Sequence, residues 1–152
     1  MANYTKQMQR IVAQYRLAGE PWPASAKTLA GWAIRQKLWL LPESAALARC
    51  AEDIARAMRE EYMTDAKGRR ARVKHPATVQ VHGEQMVLWD DMRTATRQHM
   101  QVSFQQRRQQ IVGDCRQLKV DVDCYNDMNA DEQPIQMVFD FRMDLAELEA
   151  AA

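Results

Sequence analysis

The residues with the clearest chemical potential are cations: Lys67, Arg69, Arg70, Arg72 and Lys74 fall within eight positions. Asp65-Ala66-Lys67-Gly68 reads as a turn with glycine at its last position, flanked by Tyr62-Met63-Thr64 and by a returning strand from Arg69 to His75 that Pro76 closes. Such a hairpin holds positive charges at about 3.3 Å per residue, a spacing that suits a phosphate chain. The alternative use of the same charges is to keep an edge strand from pairing with another edge.

Other reactive residue types lack the spacing that their chemistry needs. His75, His82 and His99 show no H-E-x-x-H pattern and no cysteine at zinc spacing, and neither a nucleophile elbow nor a phosphate-binding glycine loop occurs. Asp121, Asp123 and Glu132 match the first, third and twelfth positions of a calcium loop, but Tyr125 and Asn126 stand where an oxygen ligand and the turn glycine are wanted. No catalytic residue, metal site or cofactor is therefore expected, and the chain reads as a non-enzyme. The run Gln105-Gln106-Arg107-Arg108-Gln109-Gln110 is compatible with a phosphate backbone along a helix, although a polar run is more often a solvated face. Trp22, Trp32 and Trp39 sit among apolar neighbours and are expected in the core.

Charge is distributed unevenly. Residues 1–119 hold 20 Lys or Arg against 11 Asp or Glu, a net of +9, while residues 120–152 hold one Arg against nine acids, a net of −8. This split implies a basic working surface and an acidic tail able to compete with phosphate for it. The three cysteines share no C-x-x-C spacing, which fits reduced thiols used for packing, and the polar opening MANYTKQMQR lacks the apolar stretch of a signal peptide. No apolar run is long enough to span a bilayer, so a cytoplasmic location without membrane contact is expected.

The elements that must position the cations follow from periodicity. Met8, Ile11, Val12 and Tyr15 mark a first helix from Thr5 to Ala18, stopped by Gly19, and Ser25 caps a second that carries Leu29, Trp32 and Ala33 and runs to about Gln36. Pro42, Glu43 and Ser44 open a third helix with Leu47, Ala51, Ile54 and Met58 on one stripe, ending near Glu61. Val79 to Trp89 is read as a second small hairpin about His82-Gly83, and Asp90 and Asp91 as a helix entrance. Met100, Phe104, Ile111, Cys115, Leu118, Val122 and Tyr125 then follow near-heptad steps along one helix from about Thr96 to Tyr125, broken by Arg107 and Arg108. Ile135, Met137, Phe139 and Phe141 alternate as an extended segment before a last helix near Met143 to Glu149.

Three helices followed by a basic hairpin resemble the winged helix-turn-helix superfamily in layout over residues 5–76. The resemblance implies that the third helix enters the major groove, with Ser44, Arg49 and Arg56 nearest DNA, and that Lys67, Arg69, Arg70, Arg72 and Lys74 of the wing contact phosphates. The expected architecture is thus mainly α with a small β component: a winged-helix domain over 1–78, then a long-helix interaction segment with an acidic tail over 79–152. The expected function is binding of nucleic acid, double-stranded DNA before RNA, by a transcription regulator or accessory factor. A different class of function, a protein adaptor, requires the long helix to dock a partner or a second copy through Met100, Phe104, Ile111, Cys115, Leu118 and Val122.

Overall fold

The computed structural model describes residues 2–41 and 45–152, in the order α1 (Ala2–Leu17), α2 (Ala26–Arg35), α3 (Ala45–Arg59), β1 (Tyr62–Thr64), β2 (Arg70–Arg72), β3 (Lys74–Val81), β4 (Glu84–Asp91), α4 (Arg97–Met128) and α5 (Arg142–Ala151). The described chain is mainly helical with two small antiparallel ladders, β1–β2 and β3–β4. It forms two compact units, Met1–Ala55 and Arg56–Ala152, so the division falls inside α3, whereas the sequence divides near residue 78. None of its helices is long and apolar enough to cross a membrane, among the described residues.

In the first unit α1 packs on α2 through Ile11, Tyr15, Trp32 and Ala33, with Met8, Leu29, Leu38 and Trp39 against them. The Tyr15 ring meets Trp32 edge-on at 5.4 Å, and its hydroxyl donates to the Pro21 carbonyl at 2.7 Å, which satisfies the polar tip of a buried aromatic. Ser25 caps α2 as its side chain suggests, accepting from the Thr28 amide at 3.1 Å. The far end closes as a Schellman motif: the Leu38 amide reaches Ala33 O and the Lys37 amide reaches Ile34 O, with Lys37 in the left-handed region at φ 58°. Trp22 departs from its expected core position. It is half-exposed, with the Arg16 guanidinium 4.7 Å above its ring, because it sits in the turn beyond α1 where the core ends.

α3 carries its apolar residues on one stripe as read, yet none of its residues is buried; Leu47 and Ile54 are 77% and 54% exposed. Its expected start at Pro42 to Ser44 lies outside the described residues. Cys50 and Cys124 are likewise exposed, on α3 and α4 respectively, which corrects their reading as packing residues, and Cys115 is partly buried.

In the second unit both hairpins form. β1 pairs with β2 in the register Tyr62↔Arg72 and Thr64↔Arg70, and Gly68 at φ 78° makes the turn. β3 pairs with β4 from Lys74↔Asp91 to Val81↔Glu84, joined by His82 and Gly83 at φ 51° and 80°, the two positive values of a type I′ hairpin turn. Two expectations are corrected here. Pro76 lies within β3 and does not close the returning strand, and Asp90 and Asp91 belong to β4, while Thr96 caps α4 by accepting from the His99 amide. Pro76 is tolerated because β3 is an edge strand. The Thr78 amide, two residues on, points away from β4 to Gln106, so the missing proline N–H falls on the side that owes β4 nothing.

α4 closes that open edge. Ser103 Oγ donates to Pro76 O at 2.6 Å, and the Gln106 amide group both accepts from Thr78 N and donates to Thr78 O, each at 2.8 Å, completing the strand edge as a further strand would. Val73 links the two ladders, its amide donating to Glu61 O and its carbonyl accepting from Met92 N. Alternate residues Val73, His75 and Ala77 are buried together with Ser103 of α4. The helix continues through Asp121 and Asp123 to Met128, so that stretch is not a loop. Residues 133–141, read as holding an extended segment, have no regular secondary structure and pair with no strand among the described residues. They are tied to α4 where Asn126 accepts from Ile135 N and donates to Ile135 O.

Candidate nucleic-acid interface

The period of two along β2 and β3 decides where the cations go. Val73, His75 and Ala77 point into the core, so Arg72, Lys74, Pro76 and Thr78 share the opposite face, with Trp89 and Val87 across from Pro76 and Thr78, and Asp91 across from Lys74. There the residues of this face, Trp89 and Val87 line a cavity of about 270 Å3 together with Arg59 from the last turn of α3 and Ser103, Gln106, Arg107 and Gln110 of α4. Four cationic side chains, Arg59, Arg72, Lys74 and Arg107, thus converge on one cavity, and among the described residues no carboxylate lines it. A second cavity of about 380 Å3 shares Arg72, His75 and Arg107 with the first and adds Tyr62, Arg70 and Phe104, again without a carboxylate.

The individual cations differ in how much charge they leave for a ligand. Lys74 Nζ sits 3.0 Å from Glu61 Oε1, and Arg69 is turned back on Asp65 at 2.7 Å. That Asp65 carboxyl also accepts from the Lys67 and Arg69 amides. It is held below the ordinary aspartate value chiefly by the Arg69 amide and then by the Arg69 guanidinium, so it stays charged and keeps Arg69 occupied. Arg70 lies over the Tyr62 ring at 4.1 Å and Arg59 over Trp89 at 5.8 Å, contacts that hold a guanidinium in place without neutralising it. Arg72 and Arg107 have no ion pair among the described residues. An anion entering the cavity meets charge that the protein has not already cancelled.

His75 is structural. Its Nε2 is 2.8 Å from Arg72 O, its ring meets Phe104 edge-on at 5.4 Å, and its own carbonyl is 2.9 Å from His99 Nε2. These contacts fix the backbone on which Arg72 and Lys74 stand.

Of the residues singled out by sequence, Arg72 and Lys74 are thus brought together with each other, and Arg70 joins them through the adjoining cavity. Arg69 and Lys67 belong to the turn, where Arg69 is committed to Asp65. Arg49 is exposed on α3 and pairs with Asp53 at 3.3 Å, Arg56 is exposed on the same helix, and Ser44 lies outside the described residues. Arg59 and Trp89 escaped sequence reading, whereas Gln106 and Arg107 belong to the run 105–110, which the sequence leaves open to phosphate contact or a solvated face. The available signal was the alternation of Arg70, Arg72 and Lys74 continued past Pro76 to Thr78, which makes β3 long enough to need a partner on its edge. Among the described residues no carboxylate of the acidic tail forms an ion pair with these cavity cations; Asp140 pairs with Arg142 inside the tail itself. No family model, curated protein or solved structure matches this chain.

Proposed function

We propose that the protein binds nucleic acid, duplex DNA in the first instance, through the phosphate backbone, with the β1–β2 hairpin acting as a wing beside the basic cavity. The observation that carries this reading is the convergence of Arg59, Arg72, Lys74 and Arg107 on a cavity that no carboxylate of the described residues lines, with Lys74 alone of the four already ion-paired, to Glu61. Phosphate neutralisation needs cations at fixed positions and no sequence-specific partner, and guanidinium groups bind phosphate oxygens in a bidentate manner. The glutamines Gln106 and Gln110 add neutral donors at the same rim. In this reading the protein is a regulator or accessory factor whose affinity comes mostly from backbone contact, with α3 as the element available for the groove.

The test is fluorescence anisotropy of a labelled duplex at low salt with wild type, the variant R59A/R72A/R107A, and the charge-matched control R10A/R116A/R142A. Wild type and control binding alike, with the cavity variant weakened by at least about 4 kcal/mol, is the expected result, since each charge-assisted hydrogen bond is worth about 1.5–3 kcal/mol. Equal losses in both variants would reduce the effect to net charge and remove the site.

A second reading, docking of a protein partner by the long helix, is favoured by one specific observation: Ile111, Leu118 and Tyr125 lie seven residues apart on α4 and stay 52%, 44% and 48% exposed.

A further inference from the structure

We infer that the occupant of this stripe is a second copy of the same chain, aligned parallel and in register along residues 111–125. The inference rests on the second reading above and names its partner. Ile111, Leu118 and Tyr125 occupy one seam position of a heptad, and Cys115 and Val122, each four residues after an isoleucine or leucine, occupy the other. The intramolecular contacts of α4 leave Ile111, Leu118 and Tyr125 exposed and reach the seam at Val122. Its N-terminal half gives His99, Ser103 and Gln106 to β3, and its C-terminal half receives residues 134–139 on Lys119, Val122, Asp123 and Asn126. The line through Ile111, Cys115 and Leu118 runs between those two contacts. A β-branched residue at the Val122 position with leucine at the Leu118 position is the combination that favours two parallel strands.

Charge selects the second copy and its direction. The seam is flanked by Asp114 on one side and Lys119 on the other, five residues apart, which is the offset at which flanking residues meet across a parallel two-stranded coil. Two symmetric pairs, Asp114 with the second copy's Lys119 and the reverse, then form. Lys119 now donates to Asp123 of its own helix at 2.6 Å and is exposed, so moving to Asp114 of the other copy exchanges one solvated pair for another. An antiparallel alignment centred on Leu118 sets Asp114 against Asp121 and Lys119 against Lys119, pairs of like charge, and is opposed. Arg108, seven residues before Cys115, ends the seam at its N-terminal side, which confines the contact to about two heptads, roughly 21 Å of helix.

The geometry makes a prediction about cysteines that no other partner shares. Parallel alignment in register brings Cys115 opposite Cys115, within the separation of about 7 Å between Cα atoms that a disulfide tolerates, while Cys124 falls on the outer face of the coil. The experiment uses the full chain in two forms, C50S/C124S and C50S/C115S, each keeping one thiol. The mass is determined by light scattering, and the thiols are then oxidised by Cu(II) phenanthroline, which takes up the two electrons as two protons leave. The expected result is a dimer mass and cross-linking through Cys115 roughly tenfold faster than through Cys124, although Cys124 is the more exposed of the two. A monomeric mass overturns self-association. A dimer that cross-links through Cys124 as fast as through Cys115 overturns the parallel register while leaving a docking role for α4 intact. The charge variants keep the test independent of folding: D114K must weaken the dimer and D114K/K119D must restore it, and failure of the double variant to do so refutes the proposed pairing.

Discussion

Replacing Gln106 by alanine removes the group that finishes the edge of β3. Gln106 makes two hydrogen bonds of 2.8 Å to Thr78, one to its amide and one to its carbonyl, at a partly buried position. Each such bond contributes about 1 kcal/mol net, and Thr78 has no other strand on that side, so the expected loss is about 2 kcal/mol. A glutamate at the same position can accept from Thr78 N but sets a carboxylate oxygen against Thr78 O, and it should cost at least as much as alanine. The assay is native-state hydrogen exchange of the Thr78 amide, where about 2 kcal/mol corresponds to roughly thirtyfold faster exchange through local opening. Within the same spectra, amides of β3 that face β4 should change much less. Exchange at Thr78 that stays within about twofold of wild type would show that the helix does not hold the edge, and the argument for how Arg107 is placed beside Arg72 would fall with it.

Three further outcomes follow from local geometry. Lys37 occupies the left-handed position of the α2 cap, so Lys37→Gly should stabilise the first unit by about 1 kcal/mol, seen as a higher denaturant midpoint; a lower midpoint would mean that the lysine side chain contributes more than its backbone costs. Tyr15→Phe leaves the Pro21 carbonyl without its donor and should cost about 1 kcal/mol in the same measurement, and an unchanged midpoint would contradict that bond. The Asp65 carboxyl is held below its ordinary value of 3.8, so the order it brings to the hairpin turn is present above that pH and is lost as pH falls through the lowered value. The Arg69 amide shift should therefore titrate with a midpoint below 3.8, and the transition should vanish in Asp65→Asn; a midpoint at or above 3.8 refutes the turn's hydrogen bonding.

Local signals were legible in the sequence because they are set within a few residues. The Gly19 stop, the Ser25 cap, the Gly68 turn and the His82-Gly83 turn each depend on backbone geometry that one residue type supplies. The long helix was legible from its seam alone. What stayed hidden depends on partners distant in the chain. Pro76 reads as a strand breaker until the strand is known to be an edge whose outer side is met by Ser103 and Gln106, 27 and 28 residues away. Arg59, Trp89 and Arg107 come from three separate elements, and nothing in the spacing of any one of them announces a shared cavity. The charge count of the hairpin was plain, but its division was not: Arg69 is consumed by Asp65 and Lys74 is shared with Glu61, while Arg72 and Arg107 carry the free charge. The exposed stripe of α3 had no sequence signature that separates it from a buried one, since both show the same periodicity.

The central claim, that the basic cavity neutralises phosphates, is tested most directly by the salt dependence of duplex DNA binding. Each phosphate neutralised contributes a slope of about −0.9 in log K against log salt, so engagement of Arg59, Arg72, Lys74 and Arg107 predicts a slope of about −3 to −4 for wild type. R72A/R107A should reduce its magnitude by roughly 1.8. A wild-type slope no steeper than about −1, or one that the double variant leaves unchanged, would contradict the assignment of this cavity to the phosphate backbone.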